Sequence, residues 1–325
     1  MISPLLPPAL KATLDAKLHG LSRSDAAARA AVISQTYRHG GGSGTIRTEI
    51  DALAYALARM PATYAAVTAC LNALLEVRLD FSPHSLLDIG AGPGTASFAA
   101  TEAFPSLHSF ALLDRNSALR ALANEFAREN ARLSQMTYAA GDARAMLGQA
   151  DSADLVVASY VIGELPEPER DELVALAWSK TNDTLVIVEP GTPAGYSRII
   201  AVRAQLIRKG AHVAAPCPHD SPCPLTAPDW CHFAQRLARS RAHKEIKGAE
   251  LPFEDEKFSY VIAARAPVPR RPARVLAQPA VGKVEVAAKL CTAQGVAIAK
   301  VPRRDKSSYA AARRWRWGDG VMEES

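Results

Sequence analysis

The chain has 325 residues, and hydrophobic side chains make up 48% of it, enough to bury a sizeable core and to exclude wholesale disorder. That length holds one large α/β domain with additions, or two domains. The formal net charge is +5, but Arg265 to Ser325 holds 13 Lys and Arg against 5 Asp and Glu, net +8, so the preceding residues net −3. A basic C-terminal fifth predicts a polyanionic partner, nucleic acid first among them, with a solvated tail as the alternative.

Residues 1–81 are expected to form an N-terminal helical region. "MISPLLPPALKATLDAKLHG" has no basic stretch followed by an apolar core, lacks arginine and contains Asp15, which argues against both a secretory signal and a mitochondrial transit peptide. "SRSDAAARAAVISQTYR" has a Ser/Asp-rich start followed by helix formers, and "GGGSG" at 40–44 predicts a flexible break. "TEIDALAYALARM" resumes the helix, which Pro61 is expected to end or kink. "ATYAAVTACLNALLEVRL" brings Val67, Cys70, Leu71, Leu74 and Leu75 near one face, with Cys70 as a small core residue. No apolar run of roughly 18 residues stands out, so no membrane span is expected.

From about Ser82 the pattern changes to strand–helix alternation. "SLLDIGAG", "SFALLDRN", "MTYAAGDA", "ADLVVASYVI" and "DTLVIVEPG" read as strands, with "SALRALANEFARENA" and "PERDELVALAWSK" among the helices between them. "FSYVIAAR" is a later strand. Apolar strands separated by amphipathic helices predict an α/β fold with a mostly parallel sheet covered by helices on both faces. The expected units are 1–81, a domain at 82–265 with a Cys-rich insertion at 211–250, and a basic C-terminal β element and tail at 266–325. In that last unit "KVEVAAKLC" and "GVAIAKV" read as two strands joined near "TAQG".

"LLDIGAGPGTASF" places Gly90, Gly92 and Gly94 directly after a strand and before a helix, a turn that lets a ligand approach the backbone closely. The spacing departs from the dinucleotide fingerprint, because Thr95 stands where its third glycine belongs. Asp88, just before the glycines, is expected to face the pocket. Asp114, ending the second strand, can accept from two ribose hydroxyls, and Asp142, ending the third, can approach an adenine amino group or merely form a turn. This combination resembles the class I S-adenosylmethionine-dependent methyltransferases across 82–200 and 257–265. The resemblance implies a Rossmann-like class I methyltransferase fold that binds S-adenosyl-L-methionine through Asp88, Gly90, Gly92, Gly94, Asp114 and Asp142.

The fourth strand, where such enzymes often place their chemistry, carries neither an Asn/Asp-Pro-Pro-aromatic motif nor a nearby thiol. It shows Ala158, Ser159, Tyr160 and then Glu164. Glu164 is the one catalytic candidate, as a base or a holder of a substrate amine; capping the next helix is the competing role. Tyr160 reads as a packing aromatic. "VEPGTPAGY" after the fifth strand reads as a rigid, irregular loop.

"PCPHDSPCPLTAPDWC", from Pro216 to Cys231, holds three of the chain's five cysteines. In the reducing, cytoplasmic compartment expected here a disulfide is disfavoured, and the odd thiol count speaks against it too. The paired spacing usual for zinc is missing, whereas iron–sulfur clusters tolerate irregular spacing. Cys217, Cys223 and Cys231, with Cys291 as the natural fourth, form the candidate metal set; His219 and His232 are possible substitutes.

The pattern C-P-H-D-x-x-C-P-L, then D-W-C-H-F, then one distant cysteine resembles the methyltransferase-like small-ribosomal-subunit assembly factors. "ARMPATYAA", "LLDIGAGPGTASFAA", "VIGELP" and "VEPGTPAGY" extend the likeness from about Thr48 onward. It implies a 4Fe-4S cluster on Cys217, Cys223, Cys231 and Cys291, with zinc as the alternative, and association with the small ribosomal subunit and its rRNA. Arg303, Arg304, Lys306, Arg313, Arg314 and Arg316 would contact phosphates, while Trp315 and Trp317 would stack on bases or anchor the tail. A membrane-free monomer is expected. The short, non-basic N-terminus points to a bacterial relative, with the mitochondrial matrix reserved for a eukaryotic source. Three functions stay open: an rRNA methyltransferase, a non-catalytic assembly factor using the fold as an RNA-binding platform, or a small-molecule methyltransferase with a zinc site.

Overall fold

A computed structural model describes residues 1–18, 22–38, 40–269 and 271–322. Three helices come first: α1 (Pro8–Leu18), α2 (Arg23–Arg38) and α3 (Glu49–Val77). The alternating region follows as β1 (Ser85–Ile89), α4 (Thr95–Ala103), β2 (Ser109–Asp114), α5 (Ser117–Ala127), β3 (Thr137–Ala140), α6 (Ala143–Gln149), β4 (Ala153–Ser159), α7 (Glu167–Ser179), β5 (Thr181–Pro190) and α8 (Pro193–Arg208). Then come β6 (His212–Ala215), β7 (Phe233–Ala238), α9 (Arg241–Lys247) and β8 (Phe253–Ala264). A second sheet holds β9 (Ala273–Val275), β10 (Ala280–Val281), β11 (Glu285–Thr292), β12 (Gly295–Pro302) and, after α10 (Lys306–Ala312), β13 (Gly320–Val321).

The main sheet has the order β3-β2-β1-β4-β5-β8-β6, with β7 also paired to β8. The first five strands are parallel; β8 runs antiparallel to β5, β6 and β7. The chain order reverses between β1 and β4, and open α/β sheets bind ligands at the carboxyl edge of such a crevice. A mostly parallel sheet with one reversed strand near its edge and helices on both faces is the Rossmann-like methyltransferase architecture expected from the strand–helix alternation.

The strands read as continuous apolar runs because both faces are covered. Alternate side chains feed two cores. Leu86, Leu112, Leu155, Val157, Val186 and Val188 pack with α3, α4 and α5. Leu87, Leu113, Val156, Ala158, Leu185 and Ile187 pack with α7 and α8 on the opposite face.

α3 starts from a capping box, in which Thr48 accepts from the Asp51 backbone N–H and the Asp51 carboxylate accepts from that of Thr48. Pro61 neither ends nor breaks it: the helix runs on to Val77. One intrahelical hydrogen bond is lost there, but Met60, Ala62, Tyr64, Val67 and Leu71 are all buried, and tertiary packing outweighs the local penalty. α3 is long and apolar enough to cross a bilayer, a run overlooked in the sequence, yet 67% of its most apolar window is buried inside the protein, which marks a core helix.

The C-terminal sheet is larger than the two strands expected. β11 pairs along its whole length with β12 and also with β9 and β10, and β13 adds to β9. Its small core comprises Ala273, Val275, Ala288 and Leu290, covered by Trp315.

Candidate cofactor pocket and thiol cavity

Gly90, Gly92 and Gly94 have φ of +67°, +53° and +80°, so the turn from β1 into α4 needs left-handed backbone at each step. At Gly90 a Cβ would stand 2.5 Å from Cγ2 of Val161. The Asp114 carboxylate accepts from the Gly92 backbone N–H at 2.9 Å and from that of Asn116 at 2.8 Å, which fixes it against the loop. Asp114 is largely buried, and burial raises its pKa. Tyr138 on β3 donates to the Gly92 carbonyl at 2.7 Å.

The "GGGSG" segment is not a free break but the roof of this pocket. Asn116 caps α5 with its side-chain oxygen, while its amide donates to the carbonyls of Ser43 and Ile46, both at 2.9 Å. Ser43 is buried and lines the pocket with Gly90, Gly92, Asp114 and Glu164. At Gly42 a Cβ would lie 2.1 Å from the Glu164 Oε2, so a larger residue there would have to displace the Glu164 side chain.

Of the other three candidate carboxylates, Asp88 departs from its expected part, while Asp142 and Glu164 line the pocket. Asp88 is fully buried and does not line the pocket; its Oδ2 accepts from the Ser97 N–H and hydroxyl, and its Oδ1 has no partner among the described residues. Burial pushes its pKa up to about 7. Asp142 lines the pocket but is the N-cap of α6, accepting from Arg144 and Ala145. Glu164 does not cap α7, whose N-cap is Pro166 without a side-chain bond. It sits on the pocket wall, 3.8 Å from the Arg115 guanidinium, with its pKa pushed up to about 7 by burial.

A second chamber of about 490 Å³ shares Tyr37, Tyr55, Tyr160 and Glu164 with the first. Tyr160, read from sequence as packing, has φ +57°, the one positive value at a non-glycine among the described residues. Its hydroxyl donates to Glu256 Oε1 at 2.9 Å, and Arg59 approaches the same oxygen at 3.4 Å. A strained aromatic held between two chambers is the kind of conformation that packed surroundings sustain at functional sites. "VEPGTPAGY" is more regular than expected: Thr192 caps α8 and Pro193 opens it. Glu189 is fully buried against Arg198, at 2.6 Å, and also accepts from the Gly163 N–H at 3.2 Å.

The three cysteines of the Pro216–Cys231 stretch meet the sequence-distant Cys291. Cys217, Cys223, Cys231 and Cys291 line one small apolar cavity with Tyr196, Arg203, Tyr260 and Arg274. The Tyr196 hydroxyl lies 3.3 Å from Cys223 Sγ, and His219 Nε2 lies 3.8 Å from Cys291 Sγ. His232 instead stacks on Trp230. Burial raises the thiol pKa of Cys217, Cys231 and Cys291, the last to about 12. Among the described residues no three His, Cys, Asp or Glu side chains form a ready-made site for a metal ion. Cys70 is apart from this set, fully buried in α3. Arg203 and Arg274 escaped the sequence reading. Arg203 did leave a signal, as an arginine inside the apolar stripe Ile199, Val202, Leu206 of α8.

The tail divides by residue type. Arg303, Arg304, Lys306, Arg313, Arg314 and Arg316 are all exposed, and none pairs with a carboxylate among the described residues. Trp315 packs on the core of the small sheet, and Trp317 meets His232 edge-on at 4.7 Å, so both rings anchor the tail.

Residues 49–322 match the family described as mitochondrial small ribosomal subunit Rsm22. The human mitochondrial ribosome assembly protein METTL17 is 31% identical over 301 residues, covering 84% of this chain and 62% of that protein. The Rsm22-cox11 tandem protein 2 of Schizosaccharomyces pombe, also mitochondrial, is 30% identical over 246 residues, 66% of this chain and 32% of that protein. The chain thus spans less than two thirds of the length of these relatives. Both are mitochondrial, and they lend no support to the expected bacterial cytoplasm. Magnesium protoporphyrin IX methyltransferase from Synechocystis, solved with bound S-adenosylmethionine, is 14% identical with a TM-score of 0.42, covering 76% of this chain and 99% of that one; it adds nothing to the sheet order. On the extent of the match, which leaves only the first 48 residues and the last three outside it, this chain belongs to the Rsm22 family of small-ribosomal-subunit proteins.

Proposed function

We propose that this protein binds S-adenosylmethionine over its glycine loop and acts in assembly of the small ribosomal subunit, gripping rRNA through its basic C-terminal face. The observation that carries the cofactor reading is Asp114: a carboxylate at the end of β2, inside the pocket and bonded to the Gly92 N–H. Its unused lone pairs are available to a ribose diol, and the left-handed glycines let a ligand lie against the backbone. Six exposed cations that form no side-chain salt bridge among the described residues support phosphate binding. The anchored tryptophans do not support base stacking.

Methyl transfer is favoured over a purely scaffolding role by Glu164. It stands on the wall common to the two chambers, where a bound acceptor would meet the methyl donor, and its pKa of about 7 suits it to taking a proton.

The four thiols fit a metal–sulfur group by the chemistry of the donor set, since all four line a single cavity. We propose a 4Fe-4S cluster there, held by Cys217, Cys223, Cys231 and Cys291, with zinc as the alternative. Bound, it would fasten the 211–250 insertion to the C-terminal sheet. Iron, sulfide and zinc analysis of anaerobically purified protein decides between them, and one zinc without iron rejects the cluster.

Gly92→Arg tests the cofactor reading. The variant should lose S-adenosylmethionine binding in calorimetry. In cells relying on it, loss of a specific rRNA methyl mark with assembly intact supports the enzyme, and failed assembly with all marks unchanged supports a cofactor-dependent scaffold. Undiminished binding of S-adenosylmethionine by Gly92→Arg rejects the assigned pocket.

A further inference from the structure

The thiol cavity contains two buried guanidinium groups. Arg203, on α8, is 3% exposed, and its Nη2 donates to the carbonyls of His219 and Ser221 at 2.7 and 2.8 Å. Among the described residues its buried Nε has no hydrogen-bond partner within bonding distance and no carboxylate pairs with it. Arg274, on β9, is 2% exposed and donates to the carbonyls of Pro216 and Gly318 at 3.3 and 2.9 Å. Its one carboxylate contact is Glu76 at 3.4 Å.

A buried cation without a counter-charge is costly, and interior arginines are normally paired. With four neutral thiols the cavity holds two positive charges; among the described residues Arg203 has no carboxylate partner and Arg274 pairs only with the partly exposed Glu76. Four thiolates around either a 4Fe-4S core or one zinc ion carry two negative charges in excess of the metal. Such a group is opposite in charge to both arginines and supplies the counter-charge that Arg203 lacks.

We infer that Arg203 and Arg274 are the counter-charges of an anionic metal–thiolate group, so that its occupancy and the seating of the C-terminal sheet stabilise each other. This rests on the metal reading above and adds the coupling. The parts lie on opposite sides of one joint. Arg203, Cys217, Cys223 and Cys231 belong to the main domain, whereas Arg274 and Cys291 belong to β9 and β11. Lys289 on β11 also pairs with Asp229 of the insertion at 2.6 Å. Removing the group leaves two buried cations lining one cavity across that joint, and binding linked to one folded arrangement stabilises it.

The test compares full-length wild type, Arg203→Lys and Arg203→Met, each metal-loaded and chelator-stripped. Metal content is measured first, and a wild type that neither carries nor takes up iron or zinc rejects the metal reading and the inference together. With metal present, the melting-temperature gap between loaded and stripped protein should narrow in Arg203→Met and persist in Arg203→Lys. Metal affinity in Arg203→Met should fall roughly 10-fold or more. Stripping wild type should also raise hydrogen exchange in 273–292. An equal gap in all three proteins, or unchanged exchange in 273–292, rejects the inference while leaving the metal site standing. If Arg203→Met does not fold, Arg203→Gln carries the same comparison.

Discussion

Replacing Arg198 by alanine isolates one buried charge. Glu189 is fully enclosed at the end of β5, and its Oε2 accepts from Arg198 Nε at 2.6 Å while its Oε1 accepts from the Gly163 N–H at 3.2 Å. Arg198 is the one guanidinium in hydrogen-bonding contact with it among the described residues. Taking that partner away leaves a carboxylate desolvated with a single backbone donor, a situation that costs about 3–5 kcal/mol when a buried pair is broken from one side. The loss should depend on pH. Burial already holds the Glu189 pKa above its usual value, with Arg198 opposing the shift, so the variant raises it further. A carboxyl whose folded pKa exceeds its unfolded pKa costs no stability below the unfolded value, and the cost grows as pH rises through the folded one. Urea unfolding at a series of pH values should therefore show Arg198→Ala near its full deficit at neutral pH and much closer to wild type near pH 4.5, the ordinary glutamate value. A deficit under about 1 kcal/mol at neutral pH, or one that does not change with pH, would refute the reasoning.

Asp88→Asn should flatten part of the pH dependence of stability. With its folded pKa at about 7 against an ordinary 3.8, ionising Asp88 costs stability as pH rises through that window, so the wild type should lose more melting temperature than the variant between pH 4 and 8. Equal slopes would mean that Asp88 is already ionised. Cys223→Ser should lower thermal stability and RNA binding before it changes S-adenosylmethionine affinity, because the thiol cavity and the glycine loop have no lining residue in common. A selective loss of cofactor affinity, read by calorimetry, would contradict that separation.

The sheet was legible because its strands are covered on both sides. Runs such as "LLDI" and "LVIV" have no polar alternation to confuse with a surface strand, and the glycines after β1 mark the crevice directly. The cysteines were legible because they break the apolar periodicity of everything around them. Other features depend on partners that no local pattern names. Asp88 looks identical to a pocket carboxylate until Ser97 is seen to occupy it. The segment at 40–44 has the composition of a linker, and only the amide of Asn116, some 70 residues on, makes it a roof. Pro61 follows a rule about isolated helices that a buried helix overrides. Tyr160 carries strain that sequence cannot display. The short strands β9, β10 and β13 have two or three residues each, too few for any periodicity.

α3 reaches both sites. Tyr55 near its start lines the cofactor pocket, and Glu76 near its end pairs with Arg274 at the thiol cavity. The 21 helical steps between Tyr55 and Glu76 span roughly 32 Å, and each residue added or removed would turn one end against the other by about 100°. Side-chain substitutions along that span can be absorbed by repacking, but a change in residue count cannot. Sequences that keep both sites together should therefore hold the Tyr55–Glu76 spacing constant, while the loops before and after it vary in length.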